Sequence, residues 1–392
     1  MALKCSSRSR LSSFMVMDVM QKAAQIEQLN HDVMHLEVGQ PSTGAPAAAC
    51  RAIVDALDDP SAHGYTLALG IDPLRKGIAR HYERAYGLQV SPENVIVTVG
   101  SSLGFVMAFL TCFENGDRIA MTNPGYSAYR NLMLSVGLEV VDLPAGAAQN
   151  WVPRVEDLAA MDPKPEGLIL ASPSNPTGVV LSADELAAIA RWCHDNDVRL
   201  ISDEIYHGIS FDVDCATALG SSSSAIIVNS FSKYFSMTGH RVGWMIVPDD
   251  LIDPMERLAQ NAVISVPTLS QIAATAAITD DHALNELEGY VARYRTNRDV
   301  LLDGLPASFL GNVAPAQGAF YIYADTSGIS ANSIELADRL LKEAHVATTP
   351  GADFDPVDGH LALRLSFAGS TDDMKEAARR ITAWVRDYTR RA

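Results

Sequence analysis

Between about residue 93 and residue 250, short apolar runs alternate with longer amphipathic stretches, and no other feature of the chain narrows its fold so far. The runs are Val95–Val99, Ile119–Thr122, Leu138–Leu143, Leu168–Ala171, Val198–Ser202, Ala225–Asn229 and Val242–Val247. Each is too short for a helix, and most are nearly continuously apolar, so together they predict strands of a sheet covered on both faces. Such strands, alternating with helices, imply an α/β architecture: a mainly parallel sheet with helices on both faces. One intervening helix marks its own start, because Ser182-Ala183-Asp184-Glu185 has capping-box spacing ahead of the segment Leu186–Trp192.

After about residue 285 the texture changes. A long charged helix (Leu284–Leu302) is followed by a strand (Phe320–Ala324), a helix (Ser333–Ala344), a strand (Leu361–Phe367) and a final helix from Thr371. This predicts a second, smaller α+β domain, for which a chain of 392 residues has room at ~100–200 residues per domain.

Charge and composition remove several classes of function. With 30 Lys and Arg against 47 Asp and Glu, the formal charge is −17. Such a body repels phosphate backbones unless one face is locally basic, so nucleic acid is not an expected partner. No stretch approaches the ~18 uninterrupted apolar residues of a spanning helix, so no membrane is expected either. The five cysteines, Cys5, Cys50, Cys112, Cys193 and Cys215, are odd in number and form neither a CxxC nor a zinc-type Cys/His pair. They read as reduced thiols of a cytoplasmic protein that holds no metal. Lys4, Arg8 and Arg10 stand among serines without the apolar core of a secretory signal, and read as an ordinary N-terminal arm.

The chemistry is concentrated in the segment from Ser230 to Gly243, Ser-Phe-Ser-Lys-Tyr-Phe-Ser-Met-Thr-Gly-His-Arg-Val-Gly, which directly follows an apolar run. A strand there delivers Lys233 to the crevice at its C-terminal end. The hydroxyls of Ser230 and Ser232 and the guanidinium of Arg241 are donors suited to a phosphate dianion. One amine beside a phosphate cradle fits covalent attachment of pyridoxal phosphate. Taken alone, the same residues also describe a lysine on a solvated loop.

The segment resembles the lysine signature of the class I/II aminotransferases, the fold-type I pyridoxal-phosphate enzymes of the aspartate aminotransferase superfamily. Other family motifs follow in their usual order over essentially the whole chain: Phe14 to Val19, Leu36-Glu37-Val38-Gly39-Gln40-Pro41, Gly64-Tyr65-Thr66, Asn123-Pro124-Gly125-Tyr126, Asn175-Pro176-Thr177-Gly178, Asp203-Glu204-Ile205-Tyr206 and Arg364. The resemblance implies a large cofactor-binding domain at residues 46–284. It also implies a small domain built from residues 285–392 together with part of an N-terminal segment, residues 1–45.

The resemblance also implies a role for each matched residue. Asp203, at the end of the run Val198–Ser202, pairs with the pyridine nitrogen of the cofactor, and Tyr206 and Asn175 donate to its phenolic oxygen. Tyr126 stacks on the ring. Ser101 and Ser102 lie between the run Val95–Val99 and a helix Leu103–Phe113, where free amides and the helix dipole hold a phosphate. Arg364 interrupts the apolar run Leu361–Leu365 and forks onto the substrate carboxylate, helped by the backbone at Gly39. Tyr65 reaches the phosphate of a neighbouring subunit, which implies a homodimer with shared sites. Read without the family, Asp203 is equally a loop acid or a helix cap, Tyr126 a core aromatic, and Arg364 an arginine on the wet face of a strand.

The expected activity is therefore transfer of an amino group between an amino acid and a 2-oxo acid, with Lys233 moving the proton as general base and acid. One departure bears on the substrate. Bacterial aspartate aminotransferases of this subgroup place a lysine where this chain has Ser102, so a neutral donor with an aliphatic or aromatic side chain is expected over aspartate. Three rivals share most of the motifs: a C–S β-lyase or a cyclopropane-forming synthase on the same scaffold, a pyridoxal-phosphate-binding transcriptional regulator, and a dead relative. The regulator needs a DNA-binding domain ahead of the first motif, which already starts by Phe14. The dead relative is disfavoured by the presence of Lys233, Asp203 and Arg364.

Overall fold

All seven apolar runs become strands of one sheet, and their order dictates where a ligand can sit. The computed structural model describes residues 3–390, so the outermost two residues at each end of the expected N-terminal segment and small domain lie outside the described residues. In chain order the strands are β1 (Met34–His35), β2 (Val95–Thr98), β3 (Arg118–Asn123), β4 (Glu139–Pro144), β5 (Gly167–Ala171), β6 (Arg199–Asp203), β7 (Ile226–Ser230) and β8 (Gly243–Ile246). They continue with β9 (Tyr321–Asp325), β10 (Val346–Ala347), β11 (Thr349–Pro350) and β12 (Ala362–Ser366).

The large sheet runs β2-β8-β7-β6-β5-β3-β4. β8 is antiparallel to both of its neighbours, and every other pairing in the sheet is parallel. After β4 the chain steps back past β3 to lay down β5, β6 and β7. At such a reversal the connections leave in opposite directions and open a crevice at the carboxyl ends of the strands. Those ends are Asn123, Ala171, Asp203 and Ser230.

Alternation along the strands assigns the two buried faces. Leu168, Leu170, Leu200 and Ile227 face one core, with Leu74, Ile78, Leu186, Ile189 and Ala273 of the helices Asp72–Tyr86, Ala183–Asp195 and Thr268–Thr279. Ile169, Ile201, Ile226 and Val228 face the other, with Phe105, Phe109, Met133 and Met255 of Gly100–Cys112, Ser127–Val136 and Asp249–Ala262. Full burial of each such side chain stabilises the fold by about 1.5–3 kcal/mol. The capping box at Ser182 and Glu185 forms as the spacing predicts.

A second core gathers Met34 and Leu36 with residues from Val291 to Val385. Here β9 and β11 flank β12 antiparallel, and β1 pairs in parallel with β10, which ties the N-terminal segment to the C-terminal part of the chain. The helix Met15–Glu27 packs Val16 on Tyr323 and Phe354, and Val19 and Ala23 on Leu341 and Ala347. The helix Asp281–Gly304 runs unbroken through residue 285, placing Leu287 in the large core and Val291, Tyr294 and Leu301 in the small one. The expected helix Ser333–Ala344 is α-helical only to Arg339 and closes in a π turn, Leu340–Ala344. No helix among the described residues is long and apolar enough to cross a membrane.

Candidate active site

The carboxyl ends of β3, β5, β6 and β7 open into a cavity of ≈ 700 Å³, roofed from the other half of the molecule by the Gly39 segment, Tyr321 of β9 and Arg364 of β12. Its lining brings together Gly39, Ser101, Ser102, Tyr126, Asn175, Asp203, Tyr206, Ser232, Lys233, Arg241 and Arg364. Two expected residues are not among them. Ser230 is the last residue of β7 and is 1% exposed, with its hydroxyl 2.9 Å from that of Ser232 and 3.1 Å from the Val242 carbonyl. It shapes the turn that presents Ser232 and Lys233, with its hydroxyl directly behind that of Ser232. Tyr65 is 81% exposed and stands outside the cavity of its own chain.

Asp203 closes β6 with its side chain buried, which dismisses a surface loop acid. One carboxylate oxygen accepts from the Ile205 amide at 3.1 Å and the other from the Tyr129 hydroxyl. Burial pushes its pKa up to about 6, against those two hydrogen bonds. A carboxyl so placed gains most from a cation brought against it. Lys233 shows the converse effect: burial first, then the charges of Arg364 and Arg241, draw its pKa down to about 8. Its Nζ donates to the Gly39 carbonyl at 2.6 Å. An amine with that proton affinity is deprotonated in roughly a tenth of molecules at pH 7, far more than an ordinary lysine, and so can supply the lone pair that a nucleophile or a base requires.

Arg364 is 2% exposed in a strand buried along its whole length, so the wet-face alternative fails. Its Nη1 donates to Asn175 Oδ1 at 3.0 Å, and its Nη2 donates to the Glu37 carbonyl and lies 3.3 Å from Thr349 Oγ1. Its guanidinium lies 4.3 Å from the ring centre of Tyr321 and 4.6 Å from that of Phe354. Among the described residues it forms no ion pair, and its Nε has no partner. A buried, permanently charged fork without an anion matches a carboxylate that arrives from outside.

At the other end of the cavity the helix Gly100–Cys112 begins three residues before the expected Leu103, so Ser101 and Ser102 form its first turn. Val99 caps it with no side-chain hydrogen bond, leaving the first amides open. Gly100 has φ +68°, and a methyl group there would meet the guanidinium of Arg241. Open amides and a guanidinium so close together make an anion site.

Several lining residues carried no role in the sequence reading. Tyr129 sits one helical turn beyond Tyr126, edge-on to it at 5.2 Å, and that spacing of three was the available signal. Tyr321 joins through tertiary contacts alone. Phe14, Val16, Met17 and Val38 form an apolar wall, with Phe14 packed edge-on against Tyr126 at 6.0 Å.

Residues 31–381 match the model of the family described as aminotransferase class I and II. The chain belongs to this family. It is 46% identical over 380 residues to a valine–pyruvate aminotransferase of Mycobacterium tuberculosis, covering 96% of this chain and 97% of that one. The aspartate/prephenate aminotransferase of Thermus thermophilus is 33% identical over 362 residues, 92% of each chain. The crystal structure of an aminotransferase from Mycobacterium tuberculosis superposes with a TM-score of 0.96 at 45% identity, over 98% of this chain and all of that one. The chain is thus an aminotransferase of the aspartate aminotransferase superfamily, moving an amino group between an amino acid and a 2-oxo acid.

Proposed function

We propose that this aminotransferase works through pyridoxal phosphate held on Lys233 and takes its amino group from a neutral amino acid with an aliphatic or aromatic side chain. The cofactor reading is supported by three unmet demands around one cavity: the buried Asp203 without a cation, the open helix amides beside Arg241, and Lys233 with a lowered pKa. Pyridoxal phosphate meets all three, and it supplies an electron sink for the bonds at the substrate Cα.

In this reading Asp203 keeps the pyridine nitrogen protonated. Tyr206 and Asn175 would donate to the phenolic oxygen, and Tyr126 would stack on the ring. Ser101, Ser102, Ser230, Ser232 and Arg241 would hold the phosphate. Arg364 and the backbone at Gly39 orient the substrate carboxylate, so that the Cα proton faces Lys233, which removes it and returns it on the far side of the reaction as base and then acid.

The observation that carries the substrate class is the set of cations in the lining among the described residues of one chain: Lys233, Arg241 and Arg364, each already committed. A second substrate carboxylate meets no further cation among these residues and would be costly to desolvate. Arg8, Arg10 and Arg130, the alternative sources, do not line the cavity, and Arg130 pairs with Asp142. The wall of Phe14, Val16, Met17 and Val38 instead offers apolar contact. The similarity to a valine–pyruvate aminotransferase supports the same class, with pyruvate as acceptor; 2-oxoglutarate, whose second carboxylate meets the same lack of a cation, is disfavoured. Steady-state kinetics test it: valine, leucine, alanine and phenylalanine are expected to exceed aspartate in kcat/KM. An aspartate value more than about tenfold above them, or about 1.4 kcal/mol in transition-state binding, overturns the neutral-donor reading.

A homodimer belongs to the same reading. Tyr65 and Leu67, at 81% and 73% exposed, and Val54 at 66%, lie on segments packed against the helix Thr268–Thr279. A second copy covering this face would give Tyr65 a partner's phosphate to reach. A cytoplasmic setting is supported by five free cysteines.

A further inference from the structure

We infer that Tyr321 is a positioning residue for the amino-transfer chemistry, orienting the hydroxyl proton of Tyr206 into the cavity and seating the guanidinium of Arg364. The inference rests on the reading above, in which Tyr206 donates to the phenolic oxygen of a Lys233-bound cofactor.

The geometry is specific. The Tyr206 and Tyr321 hydroxyls are 2.7 Å apart, with the residues 3% and 1% exposed. Each makes no other hydrogen bond among the described residues. Only one proton fits between two oxygens, so one phenol donates and the other keeps its proton for something else. Both phenols line the cavity, and the Gly39 backbone packs on the Tyr321 hydroxyl so closely that a methyl at residue 39 would collide with it. Tyr206 lines the cavity and faces Lys233, whose Nζ is 5.9 Å from its ring centre. In the reading above the single Tyr206 proton goes to the phenolic oxygen of the cofactor, so the bond between the two hydroxyls then runs from Tyr321 to Tyr206. A donor that is itself accepting a hydrogen bond is a stronger donor, because chains of such bonds polarise one another. Burial keeps both phenols protonated throughout the working pH range.

The ring has a second task. The sheet register pairs Arg364 with Tyr323 and Ser366 with Tyr321, which sets Tyr321 diagonal to Arg364 on one face. At 4.3 Å the guanidinium lies within the ~6 Å over which an aromatic face attracts a cation. Ring and hydroxyl thus serve different groups, and substitutions can separate them.

The test is an absorbance titration of the Lys233-bound cofactor together with amino-acid kinetics. In Tyr321→Phe the ring remains and the hydroxyl is gone. The phenolic oxygen is then less well stabilised as an anion, so the cofactor's apparent pKa should rise by about half a unit or more, while KM for the amino acid stays within about twofold. Tyr321→Leu should show the same rise and also raise KM by roughly tenfold, as the cation loses its aromatic face. In a Tyr206→Phe background, Tyr321→Phe should no longer shift the titration, since the proton it orients is absent. A titration unmoved by Tyr321→Phe, or a shift that persists unchanged without the Tyr206 hydroxyl, overturns the inference while leaving the cofactor reading intact. Wild-type enzyme with no titrating cofactor absorbance overturns both.

Discussion

Asp203 and Arg364 carry opposite charges, are each 2% exposed, and come from different halves of the molecule. Asp203 ends a strand of the large sheet, and its carboxylate is relieved by a phenol and an amide, with a pKa risen to about 6. It can shed its charge when nothing pairs with it. Arg364 sits in the small sheet and cannot, because a guanidinium stays protonated at any accessible pH. It is held by a carbonyl, an amide oxygen, a hydroxyl and two aromatic rings, with Nε left over. In the proposed reading the large half is fitted to a resident group whose protonation it tunes. The small half is fitted to a passing anion that must be bound and then released.

That contrast assigns different kinetic signatures to the two halves. The largest effect is expected for Lys233→Ala, which removes the amine and the proton transfer together; turnover should fall by roughly 10⁴-fold or more for every donor. Single-turnover assays with each substrate separately check that both half-reactions are lost. Arg364→Ala, on the other side, should cost about 2–5 kcal/mol in kcat/KM for amino acids while cofactor affinity barely changes. A fall in cofactor affinity without a change in amino-acid kinetics would erase the distinction between the halves.

Gly39→Ala probes the seam. The new methyl meets the buried Tyr321 hydroxyl, so the segment must shift, and with it the carbonyl that accepts from Lys233. Overpacking of this kind costs about 1–3 kcal/mol, so a lower Tm and a fall in kcat/KM should appear together.

The smallest effect belongs to the small half alone. His35 in β1 is raised to about 9, first by its hydrogen bond to Glu37 and then, against the lowering effect of burial, by the Glu37 charge and by Glu27. A folded-state pKa above the ordinary 6.5 means its contribution to stability is full below about 6.5 and is lost as pH rises through about 9. The side chain is 39% exposed, so the contribution is modest. The Tm difference between wild type and His35→Ala should be greatest near pH 6 and fade by pH 10. A difference that does not change with pH would place the effect in packing instead.

The two halves also differed in how far the sequence revealed them. Strands buried on both faces leave continuous apolar runs, so the large sheet and the ends where Asp203 and Lys233 emerge could be read locally. Strand ends are less certain by a residue or two: β7 runs on to Ser230, one residue beyond the expected Asn229. Tyr321 could not be found this way. Its contact with Tyr206 spans 115 residues and its place beside Arg364 depends on the β9–β12 register, which no local pattern encodes. Tyr65 was read through a neighbouring subunit, and a single chain leaves it exposed.

Attachment of the cofactor at Lys233 is the claim on which the rest depends. Borohydride reduction of the purified enzyme, followed by peptide mass mapping, reads it directly. The account predicts a phosphopyridoxyl group on Lys233 and on no other lysine, with loss of absorbance and activity in step. Recovery of the label at another lysine, or an active enzyme that borohydride leaves unlabelled, would contradict it.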